Sequence, residues 1–180
     1  MTPHSASANS RRARQLTVYG PLDHPPMKIF HTLSFMFLAV VATAADSPYN
    51  ETADAKLEIR QALTQTATTK TPVIVVFGAN WCGDCKMLDS AMKNGASASL
   101  LSRDFKIVKV NVGHFDKNLD VAKSYGVPLA KGIPAVVIIS TENKVLYATR
   151  DGELANARKM GDNGIYEFFK RVTASAKAKK

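Results

Sequence analysis

Pro72-Val73-Ile74-Val75-Val76-Phe77-Gly78-Ala79-Asn80-Trp81-Cys82-Gly83-Asp84-Cys85-Lys86-Met87-Leu88 decides the reading of this chain. Its first half is apolar and β-branched and ends in small and polar residues, so it predicts a buried strand and a turn. Its second half continues into Asp89-Ser90-Ala91-Met92-Lys93, where Met87, Leu88, Ala91 and Met92 recur at helical spacing. Cys82 and Cys85 are the only cysteines in the chain, and they stand where strand gives way to helix. At a helix N-terminus, unpaired N–H groups and the helix dipole favour negative charge. That setting lowers a thiol pKa and makes the thiolate a nucleophile. A zinc site would need four ligands, and His4, His24, His31 and His114 are scattered. A purely structural bridge over so short a loop would constrain the unfolded chain little. Strand, C-x-x-C and helix together point to thiol–disulfide exchange.

Not all 180 residues read as one folded unit. Met27-Lys28 opens a secretory pattern, with an apolar run from Leu33 to Val41 and an Ala42-Thr43-Ala44 cleavage site. The run is short for a transmembrane helix, though an uncleaved membrane anchor is the alternative. Residues 1–26 are rich in Ser, Pro and Arg. They read as a stretch upstream of a natural start at Met27, as a twin-arginine leader around Ser10-Arg11-Arg12, or as a disordered tail. Cleavage after Ala44 removes four of the 24 basic and one of the 15 acidic residues, so the net charge falls from +9 to +6 over residues 45–180. Much of that excess lies at Lys170-Arg171 and in the final lysines, a solvated end. There is no recognition motif and no basic-aromatic interleaving, which argues against nucleic-acid binding. The remaining length suffices for one domain with one core. An exported, oxidising setting suits the thiol chemistry.

Along residues 45–180 the patterns predict a helix over 53–68 with Ala55, Ile59, Ala62, Leu63 and Ala67 near one face, then a strand over 73–78. A helix over 82–94 is closed by Asn94-Gly95, and a looser, part-helical connection follows to Asp104. A strand over 105–112 is paired parallel to the first by the right-handed crossover rule. A short helix over 116–125 is closed by Gly126. A strand over 134–139 and its hairpin partner at 145–148 follow. A charged, glycine-containing segment leads to a last helix over 165–176 with Ile165, Phe168, Phe169 and Val172 inward.

This order, with Trp81-Cys82-Gly83-Asp84-Cys85-Lys86 opening the second helix, resembles the thioredoxin superfamily. The supporting anchors are Phe77, Ala79, Lys109 with Asn111, Tyr125-Gly126 and Gly132-Ile133-Pro134. The resemblance implies an α/β thioredoxin fold: an N-terminal helix, then βαβαββα around a central mixed sheet flanked by helices. Within it, the chain looks most like exported thiol–disulfide oxidoreductases and disulfide isomerases. It implies Cys82 as attacking thiolate and Cys85 as resolving thiol. It implies a cis peptide before Pro134, facing the cysteines, and a substrate surface made by Trp81, Ile133 and Pro134. Taken alone, Pro134 reads as a proline that starts a strand, Trp81 could be plain packing, and His114 reads as structural or solvated.

Several positions depart from the pattern. Val76 stands where many thioredoxins bury an aspartate, Gly78 where an aromatic residue is common, and Asp89 where a proline kinks the helix. Lys109 matches the lysine that pairs with the missing aspartate. Asp84 next to Cys85 is expected to raise the thiol pKa and favour a reducing pair, or merely to favour the helix start. The expected cofactor is none beyond the Cys82–Cys85 disulfide itself. The expected partners are protein thiols and disulfides and a membrane thiol reductant or oxidant, with the protein a monomer. A peroxide-reducing enzyme on this fold would want a Thr or Arg set near Cys82. A non-catalytic binding module or chaperone is the other alternative.

Overall fold

The computed structural model describes Gly20 and residues 47–179. The expected signal segment at 27–44 lies outside the described residues, as does 1–26 apart from Gly20. No helix among the described residues is long and apolar enough to cross a membrane.

Helix α1 (Ala55–Thr66) starts at Asp54, whose carboxylate accepts the Leu57 N–H at 3.0 Å. Such a side chain satisfies one of the N–H groups that a helix start leaves free. The helix buries Ala55, Ile59, Ala62 and Thr66. Ala67, expected inward, is exposed beyond its end, and Thr66 takes the inner place. Its hydroxyl donates to the Ala62 carbonyl at 2.9 Å, so the Thr66 hydroxyl enters the core paired.

Strand β1 (Val73–Gly78) is buried throughout. Its unbroken apolar run is what a strand covered on both faces needs. Strand β2 (Lys106–Asn111) lies parallel to it. Strand β3 (Ala135–Ile139) lies antiparallel on its other side, and β4 (Val145–Ala148) pairs with β3. The four-stranded mixed sheet has the order β2-β1-β3-β4. Val76 is the register partner of Lys109 on β2 and of Val136 on β3.

Helices α2 (Gly83–Asn94) and α3 (Ser97–Asp104) connect β1 to β2. The looser connection expected at 96–104 is therefore a true helix. Helix α4 (Leu119–Ser124) is shorter than the 116–125 expected. Helix α5 (Ala157–Ala178) begins eight residues earlier than expected, with a break at Gly161 (φ 64°, ψ −178°). Glycine accepts that left-handed φ without a Cβ clash. Periodicity from Ile165 onward marks only the stretch past the break. There, Asp162 Oδ2 accepts the Ala96 N–H at the start of α3, at 3.0 Å.

Candidate active site

The sheet delivers the C-terminal end of β1 to the start of α2, and the two cysteines occupy that junction. Cys82 is the N-cap of α2, in extended backbone, and its Sγ accepts the Cys85 N–H at 3.1 Å. The thiol therefore occupies the capping position that a Ser or Asp side chain ordinarily fills. Once reduced, Cys82 would hold its charge at the positive end of a three-turn helix. Cys82 and Cys85 are joined as a disulfide, with Cα atoms 5.2 Å apart. Their exposures differ: Cys82 is 5% exposed and Cys85 is fully buried. Of the two, only Cys82 keeps any exposed surface.

Across from the pair stands the loop before β3. The Ile133–Pro134 peptide is cis. The Ile133 carbonyl oxygen lies 3.7 Å from Cys82 Sγ. A backbone acceptor and the accessible sulfur are thus side by side.

Trp81 is 50% exposed beside Cys82. Its indole N–H donates to the Gly113 carbonyl at 2.8 Å, in the loop after β2. The His114 ring lies parallel to it, with centroids 5.4 Å apart, and Phe115 meets it edge-on at 6.0 Å. His114 is exposed, as a solvated histidine would be, yet it also stacks on the motif tryptophan. That contact joins residues 33 apart and left no mark in local sequence.

Asp84 meets α5. Its Oδ1 accepts the Arg158 N–H at 2.9 Å and its Oδ2 accepts the Arg158 guanidinium at 3.1 Å. Asp84 thereby caps α5 from another helix, since Asn156 makes no side-chain cap there. Burial works to raise its pKa, but the Arg158 bonds and charge outweigh it and hold the carboxyl below its ordinary range. The negative charge expected to act on Cys85 is therefore largely matched by Arg158.

Lys109 is not left unpaired by the missing aspartate. It makes a close ion pair with Asp89 on α2, which also pairs with Lys93 at 2.7 Å. Asp89 is 3% exposed and Lys109 22%. Asp89 follows Cys85 by four residues, which puts both on one helix face. A buried carboxylate thus meets Lys109 although Val76 is apolar; it comes from the helix instead of the strand. A cleft of about 510 Å³ lined by Gln61, Met92, Lys93 and Lys106, among others, reaches this pair from the α1 side.

The aromatic residue missing at 78 is also supplied from elsewhere. The Tyr49 ring lies over Gly78, where any Cβ would collide with it. Tyr49 and Asn80 exchange two hydrogen bonds, at 3.0 and 2.9 Å. Burial, and secondly the Asp89 charge, push the Tyr49 phenol well above its ordinary range. The cue available in the sequence was the pairing of Gly78 with an otherwise unexplained tyrosine in the lead-in.

Among the described residues, no group of three or more His, Cys, Asp or Glu could hold a metal ion. The chemistry present is a two-electron couple between a reachable and a buried sulfur, which is the site of a thiol–disulfide oxidoreductase. The comparisons with known proteins agree with that class. The family model for thioredoxin matches residues 54–159, and the chain belongs to the thioredoxin family. A solved structure described as a disulphide isomerase from Xylella fastidiosa Temecula1 is 48% identical, with a TM-score of 0.69, over 72% of this chain and 99% of that one. The thioredoxin of Pseudomonas aeruginosa is 32% identical over 91 residues, which is 48% of this chain and 71% of that protein. The protein disulfide-isomerase of Ricinus communis is 27% identical over 140 residues, 77% of this chain but only 26% of that protein. Five further thioredoxins are matched over 62–63% of their length.

Proposed function

We propose that this protein is an exported reductase or isomerase of protein disulfides. The observation that carries the reading is the unequal burial of the two sulfurs at the start of α2. The Cys82 thiolate attacks one sulfur of a substrate disulfide, and the other substrate sulfur leaves as a thiolate. Cys85 then attacks Cys82 in the mixed disulfide, and the second substrate sulfur leaves. Two electrons have passed to the substrate, and Cys82–Cys85 is oxidised. A membrane thiol reductant is the class of partner that would restore the dithiol. If the substrate's own freed thiol attacks first, the result is isomerisation. The 48% identity to a protein described as a disulphide isomerase favours that second outcome.

Trp81, Ile133 and Pro134 are the proposed substrate surface, and the Ile133 carbonyl next to Cys82 supports this. Lys109 acts through Asp89, and Asp84 acts through Arg158, on the electrostatics below and beside the pair. Export rests on the Met27 to Ala44 pattern, which makes the periplasm the proposed compartment. The protein is proposed to act as a monomer.

The test is a pair of serine variants. Cys85→Ser should accumulate a substrate joined to Cys82, visible by non-reducing electrophoresis and mass spectrometry. Cys82→Ser should trap nothing and lower insulin reduction to background. A non-catalytic binding module would instead hold its client equally well in both variants.

A further inference from the structure

A polar cleft of about 520 Å³ opens beside the redox motif, lined by Asp84, Ala155, Asn156, Arg158 and Lys159. Arg158 reaches it from the start of α5, and two neighbours fix it there. Its backbone N–H and its Nη2 both donate to the carboxylate of Asp84, the residue before Cys85. Its guanidinium also lies against Gly83, the residue after Cys82. A Cβ on Gly83 would sit 3.2 Å from Nη1 and 3.3 Å from Nε. The glycine of the motif thus leaves the space that the guanidinium fills. A long side chain held against both residues between the cysteines has given up rotamer freedom that a solvated surface cation keeps.

The exposures set the sign of this surface. The Asp84 side chain is 16% exposed and that of Arg158 is 68% exposed. An approaching chain therefore meets the cation, while the partner anion is largely covered. The side-chain contact to Asp84 is made at one nitrogen of a planar fork that carries five N–H donors. The guanidinium so keeps the capacity to bind a second carboxylate. Lys159, the next residue, is exposed and brings another cation to the lining. Two cations against one carboxylate leave the cleft net positive. Complementary charge across an interface steers encounter, suppresses wrong partners and fixes register.

We infer that Arg158, with Lys159, forms a subsite for a carboxylate side chain of the protein substrate, lying within a few residues of the substrate cysteine. This rests on the oxidoreductase reading and adds the charge of its substrate. Disulfides flanked by Asp or Glu are favoured, and those flanked by Lys or Arg meet like charge and are disfavoured. Arg158 is thus a specificity-determining residue, apart from the exchange between the sulfurs themselves.

The experiment uses two disulfide-linked peptides that differ only at the residue two positions from the cysteine, Glu in one and Gln in the other. The second-order rate constant for reduction by the stoichiometrically reduced protein is measured for each, with glutathione disulfide as a third substrate. Dithiothreitol reduces the same two peptides, and its Glu-to-Gln ratio gives their intrinsic reactivities. Relative to that ratio, the protein should favour the Glu peptide roughly two- to fivefold, the range of an exposed ion pair. The preference should shrink near 1 M salt, where the screening length is about 3 Å. Arg158→Gln combined with Lys159→Gln should abolish it, and Arg158→Lys should retain part of it. The ratio is taken within each variant, so neither a loss of active protein nor a shifted potential moves it. An absent preference in wild type, with glutathione disulfide still reduced, overturns the subsite alone. A preference that survives the double variant also overturns it. If wild type reduces none of the three substrates, the oxidoreductase reading falls and the subsite falls with it.

Discussion

Lys109 on β2 pairs with Asp89 on α2, not with Val76, its register partner on β1. The sheet therefore carries no buried acid of its own at this point, and the helix that begins at the cysteines supplies one. Asp89→Ala would leave Lys109 half-enclosed without a counter-charge. The expected loss is about 2–4 kcal/mol, at or below the full cost of breaking a buried pair because Lys109 keeps some contact with water. The urea midpoint should fall at constant slope. Adding Lys109→Met should recover part of the loss, which a double-mutant cycle would read as coupling.

Arg158 offsets the Asp84 charge beside the redox pair. Arg158→Ala uncovers that charge, which disfavours thiolate and so destabilises the reduced form. The reduction potential should become more negative by about 10–20 mV, the equivalent of one partly exposed charge contact. Equilibration against glutathione measures it. A shift toward positive values would show that Arg158 does not act by matching Asp84.

Acid should weaken the fold through two carboxylates. Asp84 is held low by Arg158 against the opposing effect of burial, and Asp104 is held well below its ordinary range first by Arg103 and then by Lys177. In both, the native state binds protons less readily than the unfolded chain. Their stabilisation is thus present above the ordinary carboxylate pKa of 3.8 and is lost as pH falls through the lowered values. Urea midpoints should drop below about pH 4. The Asp84→Ala protein should start about 1 kcal/mol lower at neutral pH, from the lost cap on α5. Its fall with acid should be shallower.

Gly78 leaves room for the Tyr49 ring. Gly78→Ala sets a methyl group against that ring in a packed interior and should cost about 1–3 kcal/mol. Thermal unfolding would show it as a lowered midpoint. An unchanged midpoint would mean that Tyr49 moves aside freely.

The strand β1 and the start of α2 were legible because their cause is local. A continuous apolar run bounded by turn residues has few other uses, and two cysteines three apart at a helix start define the redox couple on their own. The same holds for the hairpin of β3 and β4. The onset of α5 was not legible, because a glycine with left-handed backbone splits the helix and periodicity resumes only afterwards. Nor was the role of Asp89, since a charged residue inside an amphipathic helix ordinarily faces water.

The sequence by itself determined the class of fold, the identity of the reacting sulfurs and the expectation that Cys82 sits at a helix N-terminus. Only the tertiary structure decided which sulfur is reachable, where Asp84 spends its charge, that Asp89 and Tyr49 occupy the places left by Val76 and Gly78, and that His114 and Phe115 join Trp81. The reason is one of range. Apolar period and capping act over a few residues, whereas burial, ion pairing and ring stacking join residues 20 to 74 apart, as with Lys109 to Asp89 and Arg158 to Asp84.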